Sequence, residues 1–161
     1  ESKFFEYMVV EVMEAMGQYS RVAFNRAMTN SRVLSSDVSA AFDPLYPGVM
    51  EKKNSAYFGK GLVFNKFTGA RGKGGSNDAN PEYIAQLRRI MEDNEVAFQT
   101  AELGKVDQGG GGTIAYILAN YHMQVIDSGV AVLNMHAPWE IISKVDLYEA
   151  KRGYVAFLKE A

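Results

Sequence analysis

The sequence contains no cysteine and only two histidines, His122 and His136. The lack of cysteine excludes disulfide bonds, iron–sulfur clusters and zinc sites built from thiolates, and it is compatible with any redox compartment. Partners for a metal-binding imidazole should therefore be carboxylates, since no soft ligand is available. His122 follows an apolar helical pattern and is interpreted as an ordinary residue of a helix C-terminus.

Strong charge and long apolar runs are also missing. The net charge is −2 at pH 7, the isoelectric point is about 5.7 and the basic residues are scattered, so no field attracts nucleic acid or an anionic membrane. No run of about 18 apolar residues predicts a membrane span, and the first six residues lack the architecture of a signal peptide. The composition predicts a cytoplasmic protein with no nucleic-acid or membrane partner.

The length and the hydrophobic content are those of a globular domain. With 161 residues, 47% of them hydrophobic, the chain can bury one substantial core. We therefore expect residues 1–161 to form one domain or most of one. The sequence starts at Glu1, without an initiator methionine, and enters a helical pattern at once. This start predicts a fragment or a processed chain whose upstream part is absent.

Hydrophobic periodicity predicts that helices and strands alternate along the chain. The predicted helices cover residues 4–16, 20–28, 81–91, 114–121 and 141–158. Residues 32–41 are predicted to form a strand that runs into a loop, and further strands are predicted over residues 61–68, 96–101, 124–129 and 130–136. This alternation predicts a three-layer α/β sandwich around a mainly parallel mixed sheet. The Met and Phe side chains of the first helix are interpreted as part of the core.

Two polar residues are predicted at strand ends, where α/β sheets collect their functional groups. The apolar run over residues 130–136 ends at His136, and Ala-Pro-Trp-Glu then turns the chain toward a helix. An imidazole held there has one nitrogen free to face a cavity, as a metal ligand or a general base. Asp37 falls at or near the C-terminal end of the strand that begins at Arg32, before the chain enters a loop. Two alternatives stay open: His136 as a hydrogen-bonded structural residue, and Asp37 as a turn former or cap.

Two glycine-rich segments invite a nucleotide-binding interpretation that their spacing does not support. Residues 69–78 place Gly74 where a P-loop needs Ser or Thr. After Gly109, Ile114 stands where G-x-G-x-x-G needs its last glycine. The four consecutive glycines over residues 109–112 let the backbone approach a ligand closely, or they form a plain strand-to-helix turn.

One ordered set of residues runs through nearly the whole chain. It comprises Ser36, Asp37, Ala41, Pro44, Tyr46, Gly61, Val63, Asp107, Gly112, Thr113, Leu118, Ala119, Asp127, Gly129, Met135, His136 and Glu140. This set resembles the C-terminal part of the aspartyl aminopeptidase family. The resemblance implies a dizinc exopeptidase with a phosphorylase/hydrolase-like α/β fold, assembled into a homo-oligomer that is usually a large dodecamer.

For the metal, the resemblance implies that Asp37 binds one Zn²⁺ and His136 the other, with Co²⁺ or Mn²⁺ as substitutes. The family's His-x-Asp pair, its bridging Asp and its Glu-Glu, whose first Glu is the general base, are expected upstream of Glu1. The paired ions lower the pKa of a shared water toward about 7, so a peptide bond is hydrolysed at neutral pH. This chain alone is then expected to be inactive, to bind zinc weakly and to be prone to aggregation.

For the substrate, the resemblance implies peptides that lose an N-terminal residue, acidic residues included. The candidates for substrate contact are Asp107, Gly110, Gly111, Gly112 and Lys66. Lys66 is next to Asn65, which aligns with the lysine that recognises acidic side chains in some members, and strand alternation turns Lys66 to the opposite face. Ala40 stands where relatives often carry a histidine three residues after the metal-binding Asp.

Two other functions stay open. A related dimetal deacylase or carboxypeptidase would keep the fold and act on a different amide. A non-catalytic fragment or assembly subunit would keep the fold and bind metal poorly. The amides that are turned over distinguish the first, and the presence of Glu-Glu and His-x-Asp upstream of this segment distinguishes the second.

Overall fold

A computed structural model describes residues 2–69, 75–105, 108 and 111–161. The helices are α1 (Phe4–Ala15), α2 (Arg21–Thr29), α3 (Pro81–Asp93), α4 (Ala115–Ala119) and α5 (Lys144–Glu160), with a 3₁₀ turn over Pro47–Val49. The strands are β1 (Arg32–Ser35), β2 (Ser39–Ala40), β3 (Leu62–Asn65), β4 (Phe67–Thr68), β5 (Asn77–Asp78), β6 (Phe98–Ala101), β7 (Gln124–Gly129), β8 (Ala131–Leu133) and β9 (Ile141–Ile142). Among the described helices, none combines the length and apolar character needed to cross a bilayer.

The central sheet has four strands in the order β1-β7-β3-β6. β1 is parallel to β7 and β3 is parallel to β6, whereas β7 and β3 run antiparallel. A smaller sheet has the order β2-β8-β9, and β4 pairs with β5. The prediction of a mainly parallel mixed sheet is confirmed for the central sheet.

Helices cover both faces of the central sheet because its strands carry apolar side chains on both sides. Leu62, Phe64 and Ile126 pack with α3 and α5 in one hydrophobic cluster. Val33 and Val125, which alternate onto the opposite face, pack with α1, α2 and α4 in a second cluster. The prediction of a three-layer α/β sandwich is confirmed.

Several predicted strand boundaries are wrong. The strand predicted to end at or near Asp37 ends at Ser35, and the loop predicted after it contains the short strand β2. The strand predicted over residues 61–68 is divided into β3 and β4. The strand predicted to end at His136 ends at Leu133. The last helix begins at Lys144 rather than residue 141, because Ile141–Ile142 pairs with β8. Hydrophobic periodicity does not show where the hydrogen bonding between two strands is interrupted, since pairing depends on the neighbouring strand.

The break between β1 and β2 lies opposite a glycine of β7. Ser35 pairs with Asp127 before the break, and the parallel pairing resumes at Ser39 in the same register. Between them, a Cβ added at Gly129 would lie 1.6 Å from the carbonyl oxygen of Asp37. The lack of a side chain at Gly129 therefore lets the Asp37 backbone lie directly against β7.

The prediction that the Met and Phe stripe of the first helix belongs to the core is wrong for this chain. No residue of α1 is buried against the described part of the chain, with Phe4 69% and Met8 48% exposed. Val9, Val10 and Met13 pack, partly buried, against the cluster of α2 and α4, and the exposed ring of Phe5 makes an edge-to-face contact with Tyr121. The periodicity identified an apolar face, but it does not say whether this chain supplies a partner for it.

Asp146 ties α5 to the turn before β3. Its side chain is fully buried, and its two carboxylate oxygens accept hydrogen bonds from the backbone N–H groups of Gly59 and Gly61, both at 2.8 Å. Asp146→Ala removes both acceptors, so we expect a loss of roughly 3–5 kcal/mol in the free energy of unfolding. Denaturant unfolding followed by circular dichroism measures it, with Asp93→Ala at the exposed end of α3 as the control. Equal midpoints for the two variants would contradict this assignment.

Candidate metal centre

A cleft of about 440 Å³ opens beyond the ends of β1 and β8. Its polar lining includes Asp37, Thr113, His136 and Glu140. Its apolar lining includes Val38, Val49, Met50, Leu103 and Met135. The two residues predicted to bind metal therefore lie in one cleft, although they are about a hundred positions apart in the sequence.

Asp37 enters this cleft from the break between β1 and β2. Its side chain is exposed to the cleft, and Oδ1 accepts the backbone N–H of Val38 at 2.8 Å. Its Oδ2 forms no hydrogen bond to the described residues, so it is free to act as a ligand. The structure places Asp37 two residues beyond the end of β1, where the close contact with Gly129 fixes its backbone.

His136 lies in the turn that follows β8. The φ angles of Asn134 (57°) and His136 (69°) are in the left-handed region, which Asn and His enter more readily than most residues. Oε1 of Glu140 accepts the backbone N–H of His136 at 2.6 Å, and the N–H of Ala137 donates to the carbonyl of Asn134 at 2.9 Å. Sequence reasoning assigned no role to Glu140; here it closes the turn that carries His136.

Sequence reasoning also missed a buried carboxyl beside the cleft. Asp127 in β7 is 1% exposed, and its Oδ2 accepts hydrogen bonds from the hydroxyls of Thr113 at 2.9 Å and Thr68 at 3.0 Å. Burial raises the pKa of Asp127, the threonine hydroxyls oppose that shift, and the negative charge of Asp37 adds to it. The available signal was an acid that directly follows Val125 and Ile126 within a predicted strand.

Only some of the predicted substrate-contact residues near Gly112 lie among the residues that the structure describes. Gly111 and Gly112 line the cleft. A Cβ added at Gly111 meets no atom of the described residues within 4 Å. Asp107 and Gly110 lie outside the described residues.

Lys66 is not brought to the cleft. Its ammonium group forms an ion pair with Asp78, and its side chain lines a different cavity with Asn54 and Thr100. Lys66 is exposed, whereas Asn65 before it is 1% exposed and accepts a hydrogen bond from Ser39 at 3.0 Å. Strand alternation turned the two residues in opposite directions, so this placement does not support a substrate contact by Lys66.

The donor set of the cleft fits part of a zinc site. Zinc accepts carboxylate oxygen and imidazole nitrogen, and a catalytic zinc usually has three protein ligands. Asp37 and His136 supply one donor of each kind. Within the described ranges, however, no group of three or more His, Asp or Glu side chains comes together to hold a metal ion. The described residues thus provide a part of a metal site.

The sequence comparison decides the family. The family model described as "Aminopeptidase I zinc metalloprotease (M18)" matches residues 1–158. The chain belongs to the M18 aminopeptidase family. A relative from Clostridium acetobutylicum, named as a probable M18 family aminopeptidase 1, is 70% identical over 158 residues, which cover 98% of this chain and 34% of the relative. The resemblance inferred from the ordered residue set is confirmed.

Solved structures of M18 aminopeptidases share the fold of this chain. Aminopeptidase I from Clostridium acetobutylicum is 68% identical with a TM-score of 0.87, over 98% of this chain and 34% of that one. An M18-family aminopeptidase from Thermotoga maritima is 39% identical with a TM-score of 0.94, over 100% of this chain and 36% of that one. This M18 chain spans about a third of the length of the curated relatives it matches.

Proposed function

We propose that this chain is the C-terminal portion of the catalytic domain of a zinc aminopeptidase, which removes N-terminal residues from peptides. The observation that carries the proposal is the single cleft that Asp37, His136, Gly111 and Gly112 line together. Asp37 offers a carboxylate oxygen to one Zn²⁺ and His136 an imidazole nitrogen to a second, and Co²⁺ or Mn²⁺ would use the same ligands. Bound zinc would supply a water of lowered pKa and polarise the scissile carbonyl.

Gly111 and Gly112 form a part of the cleft wall that a peptide would contact. They have no side chains, so this part of the wall is backbone, which a substrate can approach closely. A Cβ at Gly111 would meet none of the described residues. This arrangement supports a role in positioning the substrate.

The general base and the remaining metal ligands are proposed to come from polypeptide upstream of Glu1, since the relatives are about three times as long as this chain. Large apolar side chains are exposed in this chain: Phe4 is 69% and Leu158 82% exposed. Their exposure supports the proposal that further polypeptide or other subunits cover them. From the family resemblance we also propose assembly into a homo-oligomer, which in this family is usually a dodecamer. From the composition we propose a cytoplasmic location.

A chimera tests the proposal. In it, this chain replaces the matching third of the Clostridium acetobutylicum relative. The chimera should hydrolyse aminoacyl-anilides with added Zn²⁺ and lose that activity to a chelator, whereas this chain alone should show none. Turnover of N-acylated amino acids, or release of C-terminal residues, would favour a deacylase or carboxypeptidase instead. A soluble, zinc-loaded chimera without turnover would indicate a non-catalytic segment.

The lining of the cleft favours neutral, apolar N-terminal side chains over acidic ones. Val49, Met50 and Leu103 present apolar surface, and no Lys or Arg lines the cleft among the described residues. When Asp37 is bound to zinc, Glu140 still places a carboxylate in the cleft, which would repel an acidic side chain. The substrate class that this part of the site supports is therefore a peptide with an apolar first residue.

Anilide substrates measure this preference directly. In the chimera we expect kcat/KM for leucyl-anilide to exceed that for aspartyl-anilide by about tenfold or more, because only the apolar side chain gains burial against Val49 and Met50. Methionyl-anilide should behave as leucyl-anilide does. A preference for the aspartyl substrate would show that a cation from outside the described residues controls recognition.

A further inference from the structure

The proposed chemistry leaves the buried carboxyl of Asp127 without a role. Asp127 pairs with Ser35 of β1 and with Asn65 of β3, so it lies in the interior of the central sheet. The Ser35 hydroxyl is near enough to lower the pKa of Asp127, but Ser35 Oγ and Asp127 Oδ1 have no hydrogen-bond partner in the described part of the chain. Burying a carboxyl this deeply is costly unless it is hydrogen-bonded, so the partners of Asp127 indicate what it does.

The hydrogen bonds of Asp127 hold the end of the glycine segment. Oδ2 accepts from Thr113 at 2.9 Å and from Thr68 at 3.0 Å. Thr113 directly follows Gly112 and lines the cleft, and its hydroxyl also accepts the backbone N–H of Ala115 at 3.3 Å. The side chain of Asp127 thus anchors the cleft wall at Thr113, just before α4 begins.

The same strand also supports the metal-binding side of the cleft. Two residues after Asp127, Gly129 contacts the backbone of Asp37 so closely that a Cβ there would lie 1.6 Å from the Asp37 carbonyl oxygen. β7 therefore contacts Asp37 through one residue and Thr113 through another. Asp127 and Gly129 belong to the same hydrogen-bonded strand, so the distance between these two contacts is fixed.

We infer that Asp127 is a positioning residue: by holding Thr113, it sets the place of Gly111 and Gly112 relative to Asp37 across the cleft. The inference rests on the proposed function for its catalytic consequence. A displacement of the cleft wall by about 1 Å is enough to cost roughly a hundredfold in rate, because a substrate must be held in a reactive geometry. Asp127 itself does not touch the substrate in this role.

Two variants of the chimera test the inference. Thr113→Val keeps the shape of the side chain and removes the hydroxyl, and Asp127→Asn keeps the contact between Thr113 and Ala115. Both should lower kcat/KM for leucyl-anilide by about 10- to 100-fold while the zinc content is unchanged. Both should also speed hydrogen exchange in the peptide that contains Gly111 and Gly112. Thr113→Ser should retain most of the activity.

Asp146→Asn is the matched control, because it alters a buried carboxyl that contacts Gly59 and Gly61 instead of the cleft. It should lower the melting temperature without speeding exchange in the glycine segment. Unchanged exchange in both test variants, or the same change in Asp146→Asn, would overturn the inference. If the parent chimera has no peptidase activity, the proposed function fails, and the exchange measurement still decides whether Asp127 holds the segment.

Discussion

Replacing His136 with asparagine in the chimera is expected to lower kcat/KM for leucyl-anilide by about a thousandfold or more. That factor corresponds to roughly 4 kcal/mol of lost transition-state stabilisation, as expected when a site loses a metal ligand. Asparagine accepts the left-handed φ of 69° at this position, so the turn closed by Glu140 is kept and the imidazole nitrogen is removed. Steady-state kinetics and elemental analysis of bound zinc measure the effect.

His122→Asn is the matched control, since the two histidines share an unusual backbone. His122 has a φ of 68°, and its N–H donates to the carbonyl of Ala119 at 2.8 Å in the turn after α4. We expect activity and zinc content close to those of the parent chimera. Similar losses in the two variants, or full activity in His136→Asn, would show that the catalytic centre has been misplaced.

Gly129→Ala is expected to destabilise the chimera by more than about 4 kcal/mol, seen as a large fall in melting temperature or a loss of soluble protein. The added Cβ would lie 1.6 Å from the carbonyl oxygen of Asp37 and 2.6 Å from its carbonyl carbon. Neither atom belongs to a flexible side chain. The strands β1 and β7 would therefore have to separate, and Asp37, which lies in the break between β1 and β2, would leave the cleft.

Gly48→Ala provides the comparison, because an added Cβ there meets no atom within 4 Å in the part of the chain that the structure describes. Its effect should stay within about 0.5 kcal/mol, as for most surface substitutions. Matching melting temperatures for the two alanine variants would mean that the Asp37 backbone does not depend on close contact with β7.

The family and the layer structure were predictable from the sequence because both depend on local pattern. Strands such as Leu62–Asn65 carry apolar side chains on both faces, which requires helices on both sides of the sheet. The ordered set that includes Asp37, His136 and Glu140 identified the family before any contact was known. His136 and Asp37 were also rightly expected near strand ends, although their strands stop two to three residues earlier than predicted.

Other features could not be predicted because they depend on which segments meet. The buried Asp127 could be given a role only after Thr113 and Thr68 were seen to converge on its Oδ2. Lys66 was a candidate by its place in the sequence, and the ion pair with Asp78 takes it to another cavity. The Met and Phe stripe of α1 was expected in the core, but a helix buries its apolar face only where a partner exists.

The sequence by itself determined the family, the α/β class and the two candidate metal ligands, because periodicity and residue identity are properties of the chain alone. Only the tertiary structure decided that Asp37 and His136 share a cleft with Gly111 and Gly112, and that Gly129 and Asp127 of β7 support opposite sides of it. The reason is physical: these relations are set by strand register and by close packing between separate segments of the chain, which no local pattern specifies.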